Sequence, residues 1–159
     1  MASFAVLEHE EPEFAARVQA AFDAHGHKIL ATLRRDGSPR VSGIEARFRD
    51  GELWLAGMPR SVKFADLRRD PRMALHSGSD EPDAFRADAK LAGRAVEITD
   101  RAELAAFADA AAVPQEVQPF ELFRIDLEQV VLTALNDARD ALEITSWHPG
   151  HGLARSTRT

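Results

Sequence analysis

The sequence contains no cysteine and no tyrosine. The first absence excludes disulfide frameworks, thiolate zinc sites, iron–sulfur clusters and cysteine nucleophiles together, so any chemistry rests on other groups. No run approaches the ~18 consecutive apolar residues that a membrane-spanning helix needs. The start, Met1-Ala2-Ser3-Phe4-Ala5-Val6-Leu7-Glu8, lacks the basic region and long apolar stretch of a secretory signal. A cytoplasmic protein is the expectation. Basic residues are also short: 20 Lys+Arg against 26 Asp+Glu give a net charge of −6 with the histidines neutral. Such a chain is poorly suited to neutralising nucleic-acid phosphates, and its one basic surplus lies in the C-terminal segment. Neither nucleic acid nor a membrane is an expected partner.

What is present is one domain's worth of chain, 159 residues at 45% hydrophobic and 29% charged, enough to bury a real core. The six histidines (His9, His25, His27, His76, His148 and His151) are scattered without an H-E-x-x-H pattern, and no metal site is expected. No Ser-His-Asp spacing stands out, and the catalytic residues cannot be assigned from sequence. Paired acids such as Glu10-Glu11 and Asp80-Glu81 read as solvated surface.

The pattern predicts a single domain over 1–159, with an N-terminal helical segment (1–26) and a C-terminal tail (148–159). Phe14, Val18, Ala21 and Phe22 fall at helical spacing between Glu10 and His25, an amphipathic opening helix. Two runs follow, Lys28–Arg34 and Pro39–Phe48, separated by a turn containing Asp36-Gly37; Asp50-Gly51 then leads into Glu52–Gly57, completing a three-stranded meander. Ser61 precedes a short helix ended by Asp70-Pro71. Strands are predicted at Arg72–Ser77 and Lys90–Ile98, with a loop between them. Asp100 is placed to cap an alanine-rich helix reaching Ala112, with Glu103 at the capping-box position. Strands at Phe120–Leu127, Val130–Leu135 and Ala141–Trp147 complete the set, and the polar, basic tail is expected to wrap a surface or fray. The order fits a mainly β (α+β) fold: a six- to eight-stranded antiparallel split barrel with two or three flanking helices.

The most informative stretch is Ala56-Gly57-Met58-Pro59-Arg60-Ser61-Val62-Lys63, where a strand passes through a Gly-containing turn into a helix start. Free backbone N–H groups, the Ser61 hydroxyl and the Lys63 ammonium can converge there on a phosphate, with Arg40 supplying a second cation. The plainer local alternative makes Ser61 an ordinary N-cap and Lys63 a solvated first-turn side chain. Trp147, at the end of the last strand, fits either core packing or the covering of a flat ligand, and core packing is the simpler account.

The runs Ile29–Val41, Glu52–Gly57 and especially Arg60–Leu75 resemble the pyridoxamine 5'-phosphate oxidase-like superfamily of flavin-binding split β-barrels, and the resemblance spans roughly Phe22 to Trp147. It implies that Arg40, Ser61 and Lys63 hold the cofactor phosphate. It also places backbone of Val41, Ser42, Gly43 and Ile44, and of Ala56 and Gly57, beside the cofactor ring. It implies FMN as cofactor, or alternatively the deazaflavin coenzyme F-420, in a homodimer whose grooves Trp147 reaches from the partner. Pyridoxamine 5'-phosphate oxidase itself has a lysine near Glu45 and a glutamine near Asp88, so oxidation of vitamin B6 is not expected. The short members of the superfamily are more similar, and they imply hydride transfer to or from a small organic substrate. The alternative is a non-catalytic module that holds a flavin or haem.

Overall fold

A computed structural model describes residues 1–117 and 119–159. Helices α1 (Phe4–Glu10) and α2 (Pro12–Asp23) precede strands β1 (Lys28–Leu33), β2 (Pro39–Arg49) and β3 (Glu52–Gly57). Helix α3 (Val62–Arg69), strands β4 (Arg72–His76) and β5 (Ala87–Ile98), and helix α4 (Arg101–Ala110) follow. A 3-10 turn (Gln115–Val117) leads to β6 (Glu121–Leu135), β7 (Leu142–His148) and β8 (Gly152–Arg158). The sheet order is β3-β2-β1-β4-β5-β6-β7-β8, and an added β3–β6 pairing closes the first six strands into an antiparallel barrel. This is the mainly β split barrel that the sequence predicts.

The turn chemistry works as the sequence implies. Asp50 and Gly51 both take positive φ (52° and 73°), which a two-residue hairpin turn between right-twisted strands requires. Asp100 caps α4 by accepting from the N–H groups of Ala102 and Glu103, each at 2.9 Å. The main core fills the barrel with Leu30, Leu53, Leu55, Leu75, Leu91, Phe123 and Ile125, while Phe4, Leu7, Phe14, Val18 and Phe22 bring α1 and α2 onto it. A second cluster, built on Ile98, Phe107 and Leu122, lies under α4 on the barrel's outer side.

Three boundaries differ from the sequence reading. The helix expected between Glu10 and His25 is α2, and the N-terminal segment holds a further helix, α1, so the described residues form four; Glu11 leaves helical geometry (φ −141°) between the two, and Pro12 starts α2 at its first position. The two strands expected at Phe120–Leu127 and Val130–Leu135 are one 15-residue strand. Its alternation slips at Glu128 because a bulge sets Ala92 opposite Gln129 and Gly93 opposite Leu127. The tail expected to wrap or fray forms β8, paired along its whole length with β7. That strand is held by backbone bonds with mostly exposed side chains, so no apolar alternation announces it.

β6 divides the architecture. Its first residues pair with β3 and close the barrel, whereas Val130–Leu135 pair with β7, carrying the sheet beyond it. No helix of the described residues is long and apolar enough to cross a membrane.

Candidate functional site

The site begins where β3 becomes α3. Met58 and Pro59 are exposed, and Arg60 turns the chain with a positive φ of 62°, a conformation that costs a non-glycine residue about 1 kcal/mol. Glu121 pins the turn: its Oε1 accepts the Arg60 N–H at 3.0 Å and pairs with Arg68 of α3, also at 3.0 Å. Ser61 occupies the N-cap position, yet its side chain makes no capping bond. Its Oγ is buried without a hydrogen-bond partner. α3 has no acidic residue in its first turn. Lys63 stands there instead, so a cation faces the positive end of the helix dipole, which is unfavourable by about 0.3–1 kcal/mol. Its Nζ donates to the Gly43 carbonyl of β2 at 2.9 Å. An orphaned hydroxyl and a cation at a helix start form a donor set suited to an anion.

Lys63 opens onto a groove of about 540 Å³ floored by Gly43, Ile44 and Glu45 of β2 and by Ala56 and Gly57 of β3. A Cβ built on Gly43 would meet nothing within 4 Å, so the strand presents bare backbone there. The far wall is aromatic. Trp54 and Phe107 lie 5.4 Å apart between centroids, and Phe107 and Phe120 5.9 Å apart. The Trp54 indole donates to the Arg49 carbonyl at 3.3 Å, which fixes its ring. Glu45 and Arg47, both more than half exposed, pair at 3.7 Å along the same groove. A flat, largely apolar ligand carrying one anionic group fits this lining.

Five of the ten sequence-derived residues (Gly43, Ile44, Ala56, Gly57 and Lys63) line this groove, and Ser61, which is not among its lining residues, stands two positions before Lys63 at the N-cap of α3. Val41 is 69% exposed on the outer sheet face, and Ser42 is half-buried on the same strand. Arg40 does not join Lys63. Its Nε donates to Asp66 of α3 at 2.6 Å, and it lines a separate hollow. Trp147 is fully buried in the main core, with its indole donating to Glu10 at 2.9 Å. It is absent from this chain's groove lining. Asp88 pairs with His76 (3.7 Å) and Lys90 (3.8 Å) on the sheet.

The aromatic wall is not legible in the sequence. Trp54 is evident as a strand residue, but Phe107 belongs to α4 and Phe120 just precedes β6, and packing in the second cluster brings them together.

Asp66 organises the Arg40 side. It is 3% exposed and accepts from Thr32 Oγ1 (3.1 Å), Arg40 and Arg69 (3.0 Å). Burial alone raises its pKa, but the three donors outweigh that and hold it below the ordinary 3.8. A depressed carboxylate stabilises the fold above its ordinary value, and that stability is lost as pH falls through the folded value. Asp66→Asn is therefore expected to melt below the parent protein at neutral pH and to converge on it in acid below 3.8. Melting curves along a pH series check this; a constant gap down to the acid end would contradict it.

The family model described as pyridoxamine 5'-phosphate oxidase matches residues 14–134, and the chain belongs to that family. No curated protein matches the sequence. Among solved structures, PhzG from Burkholderia lata, crystallised with tetrahydrophenazine-1-carboxylic acid, aligns over 96% of both chains at 16% identity with a TM-score of 0.64. A Clostridium acetobutylicum protein related to general stress protein 26, of the pyridoxinephosphate oxidase family, aligns over 87% of this chain and 96% of its own at 12% identity and a TM-score of 0.63. General stress protein 26 from Bacillus anthracis aligns over 74% and 91% at 16% identity and 0.58. At these identities the likeness is one of fold.

Proposed function

We propose that the chain is a flavin- or deazaflavin-dependent oxidoreductase that binds FMN, or alternatively F-420, in the groove between β2, β3 and α3. The observation that carries this reading is the buried, unpartnered Ser61 Oγ beside Lys63 at the start of α3. Ser61 and Lys63 hold the cofactor phosphate, while Arg40 is turned to Asp66 in the separate hollow. Backbone of Val41–Ile44 and of Ala56–Gly57 lies along the ring, and Trp54, Phe107 and Phe120 exclude water from the apolar end. When bound, the flavin supplies hydride transfer to or from a small organic substrate; the protein supplies orientation and electrostatics.

A homodimer belongs to the same reading. Val41 lies opposite Ala31, which lies opposite Ala74, while Ile29 lies opposite Gly43 and His76, so all share one sheet face. Ile29 is 45% and Val41 69% exposed, and a second copy would cover that apolar patch. Trp147's burial in its own core argues against its reaching a partner's groove.

The test is an absorbance spectrum of the purified protein, then titration with FMN and with F-420. Trp54 lies in the groove and reports binding by fluorescence. Saturable quenching is expected, weakened about tenfold or more in Lys63→Ala, since a charge-assisted contact to phosphate contributes ~1.5–3 kcal/mol. Folding should be unchanged, because half-exposed Lys63 contributes little to stability. Equal cofactor affinity in that variant would overturn the assignment. The aromatic wall favours a second reading, a non-catalytic module for a flavin or haem. Bound pigment without turnover under any reductant would select it.

A further inference from the structure

A second hollow, of about 500 Å³, lies between the β1–β2 turn and α3, and it shares no lining residue with the groove. Its floor is one stripe of α3 (Val62, Ala65, Asp66 and Arg69, at helical spacing), with Arg40 beside it and Arg34 and Arg35 on the turn opposite. Four arginines face two aspartates, which leaves two positive charges. Neither aspartate is free to cancel more of that charge. The buried Asp66 is occupied by Thr32, Arg40 and Arg69. Asp36 accepts from its own turn, from the Ser38 N–H (3.0 Å) and Oγ (2.6 Å), and these two bonds hold its pKa below the usual carboxylate range. Arg34 and Arg35 have no side-chain partner among the described residues.

The Arg40–Arg69 side is pre-organised. Asp66 binds each of Arg40 and Arg69 through a single nitrogen, and Arg69 also reaches the Leu33 carbonyl. Further N–H donors remain on both guanidinium groups, whose planes the aspartate orients. The turn is equally fixed: the Arg34 N–H meets the Ser38 carbonyl at 2.8 Å, and Gly37 turns the chain at a φ of 82°. Arginines of the turn and arginines held by Asp66 therefore line one hollow of about 500 Å³, larger than a single phosphate fills.

We propose that this hollow binds a diphosphate group, one phosphate on the Arg34–Arg35 turn and the other on the Arg40–Arg69 side. The inference goes beyond the flavin-groove reading and does not depend on it, because its test uses ligands without a ring. Two sources share the chemistry, a nucleoside diphosphate and inorganic pyrophosphate.

The experiment is calorimetric titration of the full chain with pyrophosphate and ADP, with phosphate and AMP as single-phosphate comparators, repeated on the Arg34→Ala/Arg35→Ala double variant. Both arginines are exposed, so the variant should fold normally. Pyrophosphate and ADP should bind about tenfold or more tightly than their single-phosphate counterparts, and the double variant should lose about that factor. Groove binding of FMN, read by Trp54 fluorescence, should be unchanged. Tighter binding of ADP than of pyrophosphate names a nucleotide as the source; equal binding names the diphosphate alone. The proposal is overturned if neither diphosphate binds, if the double variant binds both as the parent does, or if FMN affinity falls in step with diphosphate affinity. A chain that binds pyrophosphate but not FMN would sink the flavin reading and leave this one standing.

Discussion

Trp147→Ala is expected to lower the unfolding free energy by about 4 kcal/mol, because it removes the largest fully buried side chain and leaves a cavity that rigid neighbours cannot fill. The position also multiplies the effect. β7 pairs with the barrel through β6, and Trp147 anchors it in the main core. Its indole N–H donates to Glu10 at the end of α1, tying the first helix to a strand 137 residues away. Trp147→Phe should cost less, about 1–2 kcal/mol, since the ring still packs and the abandoned Glu10 carboxylate is exposed to water. Urea unfolding of both variants checks this through the midpoint at constant slope. A loss under about 1 kcal/mol for Trp147→Ala would mean that the side chain is not in the core and would reopen its role at a partner's groove.

Gly93→Ala is the second large effect. A Cβ at Gly93 would sit 2.2 Å from the Asp126 carbonyl oxygen and 3.1 Å from its carbon, and both atoms are backbone of the facing strand. No rotamer relieves such a clash, so β6 must withdraw from β5 at the bulge, where Gly93 faces Leu127. A cost of about 3 kcal/mol or more is expected, large for the addition of one methyl group. Gly43→Ala is the control, since its Cβ meets nothing within 4 Å and should leave the melting temperature nearly unchanged. If the two substitutions cost the same, close strand approach at the bulge would not be the cause.

Glu52, at the start of β3, follows a different logic. Burial raises the pKa of Glu52 despite nearby Arg124, and one of its carboxylate oxygens is buried without a partner. The charged form is thus disfavoured in the folded chain, the opposite of Asp66, where three donors outweigh burial. Burial alone fixes neither sign; the count of donors within reach does.

Much of this could be read from the chain. Asp-Gly pairs, the Asp100 cap, and the strand and helix periodicities each specify structure over a few residues, so local sequence carries them. The Arg60–Lys63 run is legible as a candidate anion site for the same reason: its donors are neighbours on the chain. What depended on long-range packing was not legible. The Gly93 bulge needs the facing strand, β8 needs the backbone of β7, and the aromatic wall needs the packing of the second cluster. Arg40 shows the division most clearly. Its place on β2 was evident from sequence, but whether its guanidinium meets Lys63's groove or Asp66's hollow is a choice between partners 23 and 26 positions away, and a buried carboxylate that needs cations made that choice. The sequence by itself determined most of the barrel's elements, their order and the local donor set; the tertiary structure decided the joined β6, the added β8 and which charges meet, because burial and distance exist only once the barrel has closed.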